Sequence, residues 1–243
     1  MIPESHPRYR SLVTRKRLVD FTKSGIVSLE GLTAQGRGEA FDYLLGEDTI
    51  PSALRAEKIA AALLLLATHP VISVNGNTAA LTAGNIAALQ KVSNARVEVN
   101  LFHRTDERIN AISNHLKNHG VTLVEGEVSR YIPLDHDRGL CHFDGIYSAD
   151  VILVPLEDGD RAEALIAMGK KVIAIDLNPL SRTSRAATLP VIDEVTRAIP
   201  RIAQICMELN SSDALELIRD INGAEFIRDA LEYISRRLLD VLD

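Results

Sequence analysis

No apolar run in this sequence approaches the roughly 20 residues needed to span a bilayer. The longest, Ile59 to Ala67, continues a segment carrying Arg55, Glu57 and Lys58, which predicts a core helix and not a membrane span. The N-terminus, Met1-Ile2-Pro3-Glu4-Ser5-His6-Pro7-Arg8, has no apolar stretch behind a basic start, so no secretory signal is expected and the cytoplasm is the expected location. Only two cysteines are present, Cys141 and Cys206, far apart and outside any zinc-ligand spacing. A zinc site or a disulfide framework is therefore not expected, and no metal ligands are assigned. Positive charge is not in excess either. The formal net charge of −6 argues against broad nucleic-acid binding, which needs a large cationic surface. Internal repeats and low-complexity tracts are absent. So are the two common nucleotide fingerprints: no G-x-x-x-x-G-K-[ST] loop occurs, and no G-x-G-x-x-G follows a strand.

What remains is an ordinary globular composition, 46% hydrophobic and 25% charged, in 243 residues, enough for one α/β domain. From residue 70 onward, short β-rich runs alternate with amphipathic segments, as in a parallel sheet covered by helices. The predicted strands are Val71–Val74, Arg96–Leu101, Val121–Val124, Val151–Val154, Val172–Ile175 and Leu189–Ile192. Helices are predicted at Thr82–Val92, Asp106–Asn118, Arg161–Met168 and Glu194–Leu209, the last bent or restarted at Pro200. Gly120 and Gly169 fall where helices should stop in left-handed caps. Three further helices, Arg8–Lys23, Gln35–Leu45 and Ser52–Thr68, precede the sheet as a lid or helical layer. Residues 125–149 show no period and read as an irregular excursion, and a polar helical tail with a break at Asn222-Gly223 closes the chain. The expected fold is thus α/β, a three-layer Rossmann-like and mainly parallel sheet flanked by helices with an N-terminal helical layer. Residues 1–210 are expected to form a single α/β domain that holds the functional site, and 211–243 a C-terminal helical segment.

Ligands of open parallel sheets bind beyond the carboxyl ends of the strands. The polar motifs of this chain cluster there: Asn75-Gly76-Asn77, Asn100 to Thr105, Glu157-Asp158-Gly159-Asp160-Arg161, and Asp176 to Arg185. Each also has a plainer use. Asn75-Gly76-Asn77 suits a turn, Thr105 a helix cap, and Glu157 to Asp160 the acids of a helix start. Gly36-Arg37-Gly38 lacks a third glycine. It fits a tight backbone that brings one guanidinium up to a phosphate, or an exposed arginine in a glycine turn. The cationic run Arg8, Arg10, Arg15, Lys16, Arg17 and Lys23 is either a solvated helix or an anion-binding face. His115 and His119 are four apart, but Gly120 ends their helix and no Glu lies between, so a solvated helix end is the simpler reading.

Six separated motifs then carry a resemblance over roughly residues 2 to 207. They are Ser5-His6-Pro7-Arg8-Tyr9, Gly36 to Tyr43, Val74 to Asn77, Asn100-Leu101-Phe102, Pro155 to Arg161 and Asp176 to Arg182. In this order the sequence resembles the archaeal phosphopantothenate synthetases, the 4-phosphopantoate–β-alanine ligases of coenzyme A biosynthesis. His103 and Glu194 depart from the tyrosine and asparagine common at those places. The resemblance implies a homodimer that joins 4-phosphopantoate to β-alanine with ATP and Mg²⁺, releasing AMP and pyrophosphate through an acyl-adenylate. It implies ATP contacts at Arg15, Arg37, Asp176, Leu177, Asn178, Arg182, Thr183, Glu194 and Val195. Candidates for the substrate phosphate are Arg104, the Asn75-Gly76-Asn77 backbone and the helix start at Thr105. For the base that frees the attacking amine they are Asp158, Asp160 and His103. A ligand-sensing module using the same cleft without turnover is the alternative from another class. An oxidoreductase is disfavoured by the missing glycine fingerprint.

Overall fold

The computed structural model describes residues 2–156 and 158–240. Its elements in order are α1 (Tyr9–Thr22), α2 (Leu29–Leu45), α3 (Pro51–Leu66), β1 (Pro70–Val74), α4 (Gly76–Ser93), β2 (Arg96–Val99) and α5 (Asp106–Asn118). A small antiparallel pair follows, β3 (Val128–Arg130) and β4 (Leu140–His142). Then come β5 (Val151–Pro155), α6 (Gly159–Ala167), β6 (Lys171–Ile175), α7 (Arg182–Ala186), β7 (Leu189–Val191), α8 (Val195–Glu208), α9 (Ser211–Leu217) and α10 (Gly223–Asp240).

The central sheet is wholly parallel, in the order β2-β1-β5-β6-β7. Alternation along each strand sends side chains to two different cores, because successive residues of a strand face opposite sides. Ile72, Val74, Leu153, Ile173 and Ile175 join α3, α4, α5 and α8 in one apolar cluster. Val71, Ile152, Val154, Val172 and Ala174 join α6 and the 130–149 segment in the other. The expected three-layer α/β fold is therefore the observed one. A third cluster brings Leu45 of α2, Leu177, Ile192 and the α10 residues Ala230 and Ile234 together beside the carboxyl ends of β6 and β7. No helix among the described residues is long and apolar enough to cross a membrane.

Several expectations need correction. Val121–Val124 is not a strand: it makes a single parallel bridge, Leu123 to Val97. Both backbone groups of Thr122 are taken by the Gln90 carboxamide, at 2.8 and 2.7 Å, so a side chain captures the hydrogen bonding that a ladder would use. Helix α4 begins at Gly76, not Thr82. Asn75 caps it through the Thr78 N–H, and Thr82, with non-helical φ −142°, kinks it, so the predicted start falls on the kink. Helix α2 likewise begins six residues before Gln35, capped by Ser28. Gly36-Arg37-Gly38 therefore lies within a helix and is not a turn. Helix α8 is not restarted: it runs continuously through Pro200 while it buries Ala198, Ile199, Ile202, Ala203 and Cys206. The excursion at 125–149 contains the β3–β4 pair and two short helical turns, at Asp137–Gly139 and Phe143–Tyr147. Gly120 and Gly169 end their helices with φ of 86° and 80°, as predicted.

Candidate functional site

Asn75 follows β1 and Leu156 follows β5, the adjacent strands from which the chain winds in opposite directions. Such a switch point opens a crevice in sheets of this kind. Here the Asn75 carboxamide spans it, donating to the carbonyls of Pro155 and Leu156 at 2.9 Å each while its oxygen accepts from Thr78. Leu156 takes a left-handed backbone, φ 54°, held by its N–H to Ile175 O. For a residue with a side chain this conformation costs on the order of 1–2 kcal/mol, strain of the kind found where a site fixes its backbone.

Two chambers meet over this crevice. The first, about 410 Å³, is lined by Arg37, Asp176, Leu177, Asn178, Arg182, Thr183, Glu194 and Val195, eight of the nine nucleotide-contact candidates. The second, about 480 Å³, is lined by Asn75, Gly76, Asn77, His103 and Asp158. Ala34, Gln35, Arg37, Leu156 and Asp158 border both, so the two are compartments of one cleft. The structure leaves four candidates off both walls. Arg15 donates to Glu39 at 2.7 Å. Arg104 uses its backbone N–H on Asp137. Thr105 caps α5 at the Arg108 N–H. Asp160 pairs with His136 at 2.8 Å. Glu157, also singled out in the sequence, lies outside the described residues.

The electrostatics separate the lining groups. Arg37 is exposed, lines the chamber and makes no side-chain hydrogen bond or ion pair among the described residues, so its five donors are available to a ligand. Burial raises the Asp176 pKa against opposing bonds from Ser181 and the Asn178 N–H, and burial likewise raises that of Glu194. Glu194 accepts from Thr196 N–H at 2.6 Å and caps α8, a helix whose start faces the first chamber. Asp160 is the reverse case: burial works against its charge, yet the His136 bond and the Arg161 N–H hold its pKa below the usual value. A carboxylate so held is a poor base.

Two arginines escaped the sequence reading. Arg138, only 5% exposed, comes in on the short turn before β4, where it donates to Asp158 at 2.9 Å and to the Asn100 carbonyl at 2.6 Å. Arg108 stands on α5 and donates to His103 O at 2.6 Å, and both arginines line the second chamber. Arg108 follows Arg104 by four residues, a helical spacing visible in the sequence. Nothing in the aperiodic 125–149 run pointed to Arg138.

The approach of α6 to α7 is close enough to test. A Cβ at Gly159 would meet Arg182 Cβ at 2.3 Å and its backbone at 3.1 Å. Gly159→Ala must push the start of α7, and with it Arg182 and Thr183, off the chamber wall. A loss of stability of ~1–3 kcal/mol is expected from this overpacking, read from urea unfolding of the two proteins. Unchanged stability would show that α6 and α7 separate at no cost.

An open parallel sheet with a polar, two-chambered cleft over its switch point defines a doubly wound α/β protein with a site for small polar ligands. The family profile for phosphopantothenate/pantothenate synthetase matches residues 52–237. The chain belongs to that family and, with it, is an enzyme of the ligase class. The match extends past residue 207, where the resemblance legible in the sequence stops. Among its relatives, a 4-phosphopantoate–beta-alanine ligase of Methanospirillum hungatei JF-1 is 76% identical over 243 residues, covering all of both chains. Enzymes of the same name from Methanosarcina mazei and Thermococcus kodakarensis are 51% and 45% identical, over 96% and 98% of this chain and 93% of theirs.

Proposed function

We propose that this chain joins 4-phosphopantoate to β-alanine in coenzyme A biosynthesis, consuming ATP and releasing AMP and pyrophosphate through an acyl-adenylate. The observation that carries the proposal is the junction of the two chambers. One is suited to a nucleotide and the other to an anionic acid, with Arg37 and Asp158 common to both. Adenylation requires a carboxylate from one compartment to reach the α-phosphorus of a nucleotide in the other.

In the first step a carboxylate oxygen bonds to the α-phosphorus as the bond to the β-phosphate oxygen breaks and pyrophosphate leaves. Arg37 and Arg182 lie along the nucleotide chamber to offset the charge that builds on the phosphates. MgATP is the substrate form. No group of three or more His, Cys, Asp or Glu among the described residues is arranged to cage a metal, and Mg²⁺ ordinarily binds through phosphates, waters and one or two carboxylates. Asp158, on the wall common to both chambers, is the carboxylate we assign to it or to the base. The substrate phosphate is assigned to the start of α4 at Gly76 and Asn77, together with Arg108 and Arg138, which take the part considered for Arg104. In the second step the β-alanine nitrogen attacks the acyl carbon, the bond to AMP breaks and one proton leaves the nitrogen. His103 and Asp158 line that chamber, whereas Asp160 is turned to His136.

With ATP, Mg²⁺, 4-phosphopantoate and β-alanine, the purified protein is expected to form AMP and pyrophosphate in equal amounts, followed by coupled assays or phosphorus NMR. ADP and phosphate would refute adenylation. AMP release independent of β-alanine would refute the ligation, and absence of turnover with tight ligand binding would favour the sensor. We further propose a two-fold dimer in the cytoplasm, which light scattering at assay concentration tests, since a closed two-fold pair is the commonest assembly.

A further inference from the structure

We propose that Gln35 is a substrate-contacting catalytic residue, whose carboxamide orients the reacting carboxylate in the adenylation step and receives the amine in the ligation step. This inference rests on the ligase reading above. Gln35 lies on α2 and is only 9% exposed. Its carboxamide makes no hydrogen bond among the described residues, although it borders both chambers. It also borders a third cavity of about 380 Å³ beneath Arg8 and Tyr9, so it stands where all three spaces converge.

A carboxamide brings two N–H donors and an acceptor oxygen. Its oxygen and nitrogen are not among the fully buried unpartnered atoms of the described residues, so they keep access to the cleft, where only water or a ligand can pair with them. It fits a place completed by a ligand. Its neighbours on α2 support that assignment. Arg37, two residues on, supplies charge, while Glu39 is engaged by Arg15 and by the Tyr43 hydroxyl at 2.9 Å. Gln35 is neutral and bifunctional. Its N–H groups can hold one carboxylate oxygen while the other bonds to the α-phosphorus and pyrophosphate departs. Its carbonyl can accept from the β-alanine nitrogen as the C–N bond forms and the C–O bond to AMP breaks. Neither task changes its protonation, so one side chain can serve both steps.

The test compares wild type with Gln35→Met, close in size but without polar atoms, and Gln35→Glu, which sets a carboxylate against anionic reactants. Four quantities are measured: ligand-free melting temperature, ATP affinity by calorimetry, 4-phosphopantoate-dependent exchange of pyrophosphate into ATP, and kcat for β-alanine-dependent AMP release. For Gln35→Met the expected melting temperature is equal to or above wild type and ATP affinity stays within about threefold. Exchange and kcat should fall about 10- to 30-fold, the loss of hydrogen bonds to a charged reactant. Gln35→Glu should fall at least as far. Wild-type exchange and kcat in Gln35→Met would overturn the proposal. So would a lower melting temperature with normal turnover by the folded protein, which would mark Gln35 as packing. Absence of β-alanine-dependent AMP release in the wild type would instead overturn the ligase reading and this proposal together.

Discussion

Replacing Arg37 by alanine is expected to lower kcat/KM for ATP by about 10- to 150-fold, the equivalent of one charge-assisted hydrogen-bonded contact of roughly 1.5–3 kcal/mol. Arg37 has no ion pair or hydrogen bond among the described residues, and it lines both chambers. Its removal breaks no ion pair, although it takes away a positive charge that favours the ionised form of the neighbouring Asp176, so melting should change little. Arg37→Lys should fall between wild type and alanine, because lysine keeps the charge but loses the planar fork. Arg15 offers the contrast. It is 48% exposed and already paired with Glu39 at 2.7 Å, outside both chambers. A loss at Arg15→Ala as large as at Arg37→Ala would show that Arg15 leaves Glu39 for the nucleotide. Wild-type kcat/KM in Arg37→Ala would remove Arg37 from the site.

Glu57→Gln is expected to stabilise the protein increasingly as pH rises from about 4.5 to about 8, and the gain should then level off. At the base of the first chamber, Asp193 accepts from Thr49 at 2.6 Å and from Arg197, which also grips Asp42 of α2 through both terminal nitrogens at 2.6 and 3.2 Å. Arg201 donates to Glu57 at 3.1 Å. The Glu57 and Asp193 side chains are fully buried. Burial raises the Glu57 pKa from 4.5 to about 8, with the Asp193 charge adding to the rise and Arg201 opposing it.

The sign follows from which state holds the Glu57 proton. Below pH 4.5 both folded and unfolded chains keep it, and Glu57 contributes its full stability. Between 4.5 and about 8 the unfolded chain releases it while the folded chain retains it. Stability then falls by about 1.4 kcal/mol for each pH unit of the window, an upper bound of several kcal/mol in all. Glutamine keeps a donor for Asp193 and an acceptor for Arg201 without titrating. Urea unfolding of both proteins at pH 5, 6.5 and 8 measures the difference, and parallel curves would show that Glu57 is not protonated in the folded state. The same network joins α2, which carries Gln35 and Arg37, to the turn that carries Glu194 and Val195, so opposite walls of the chamber are tied together beneath it.

Local rules were enough for some elements. Helix α5 spans Asp106–Asn118 as predicted, because Thr105 caps its start, its apolar stripe repeats at helical spacing, and Gly120 supplies the left-handed stop. The five central strands were legible as apolar β-branched runs, and eight nucleotide-site candidates line one chamber because they follow β6 and β7 or lie on the facing helix. The Val121–Val124 run failed, since a glutamine more than thirty residues away takes its hydrogen bonds.

The sequence by itself determined the parallel α/β architecture, the strand ends where polar residues gather, and the family. Each is written in residues close together in the chain: the period of apolar positions, the caps, and short ordered motifs. Tertiary structure alone decided which charges are already engaged and which face the cleft. Arg15 and Glu39 are 24 residues apart, Asp158 and Arg138 are 20 apart, and Arg197 and Asp42 are 155 apart. Arg37 and Gln35 have no such partner among the described residues. Ion pairing and desolvation depend on distance in space and on local dielectric, neither of which a linear order of residues encodes.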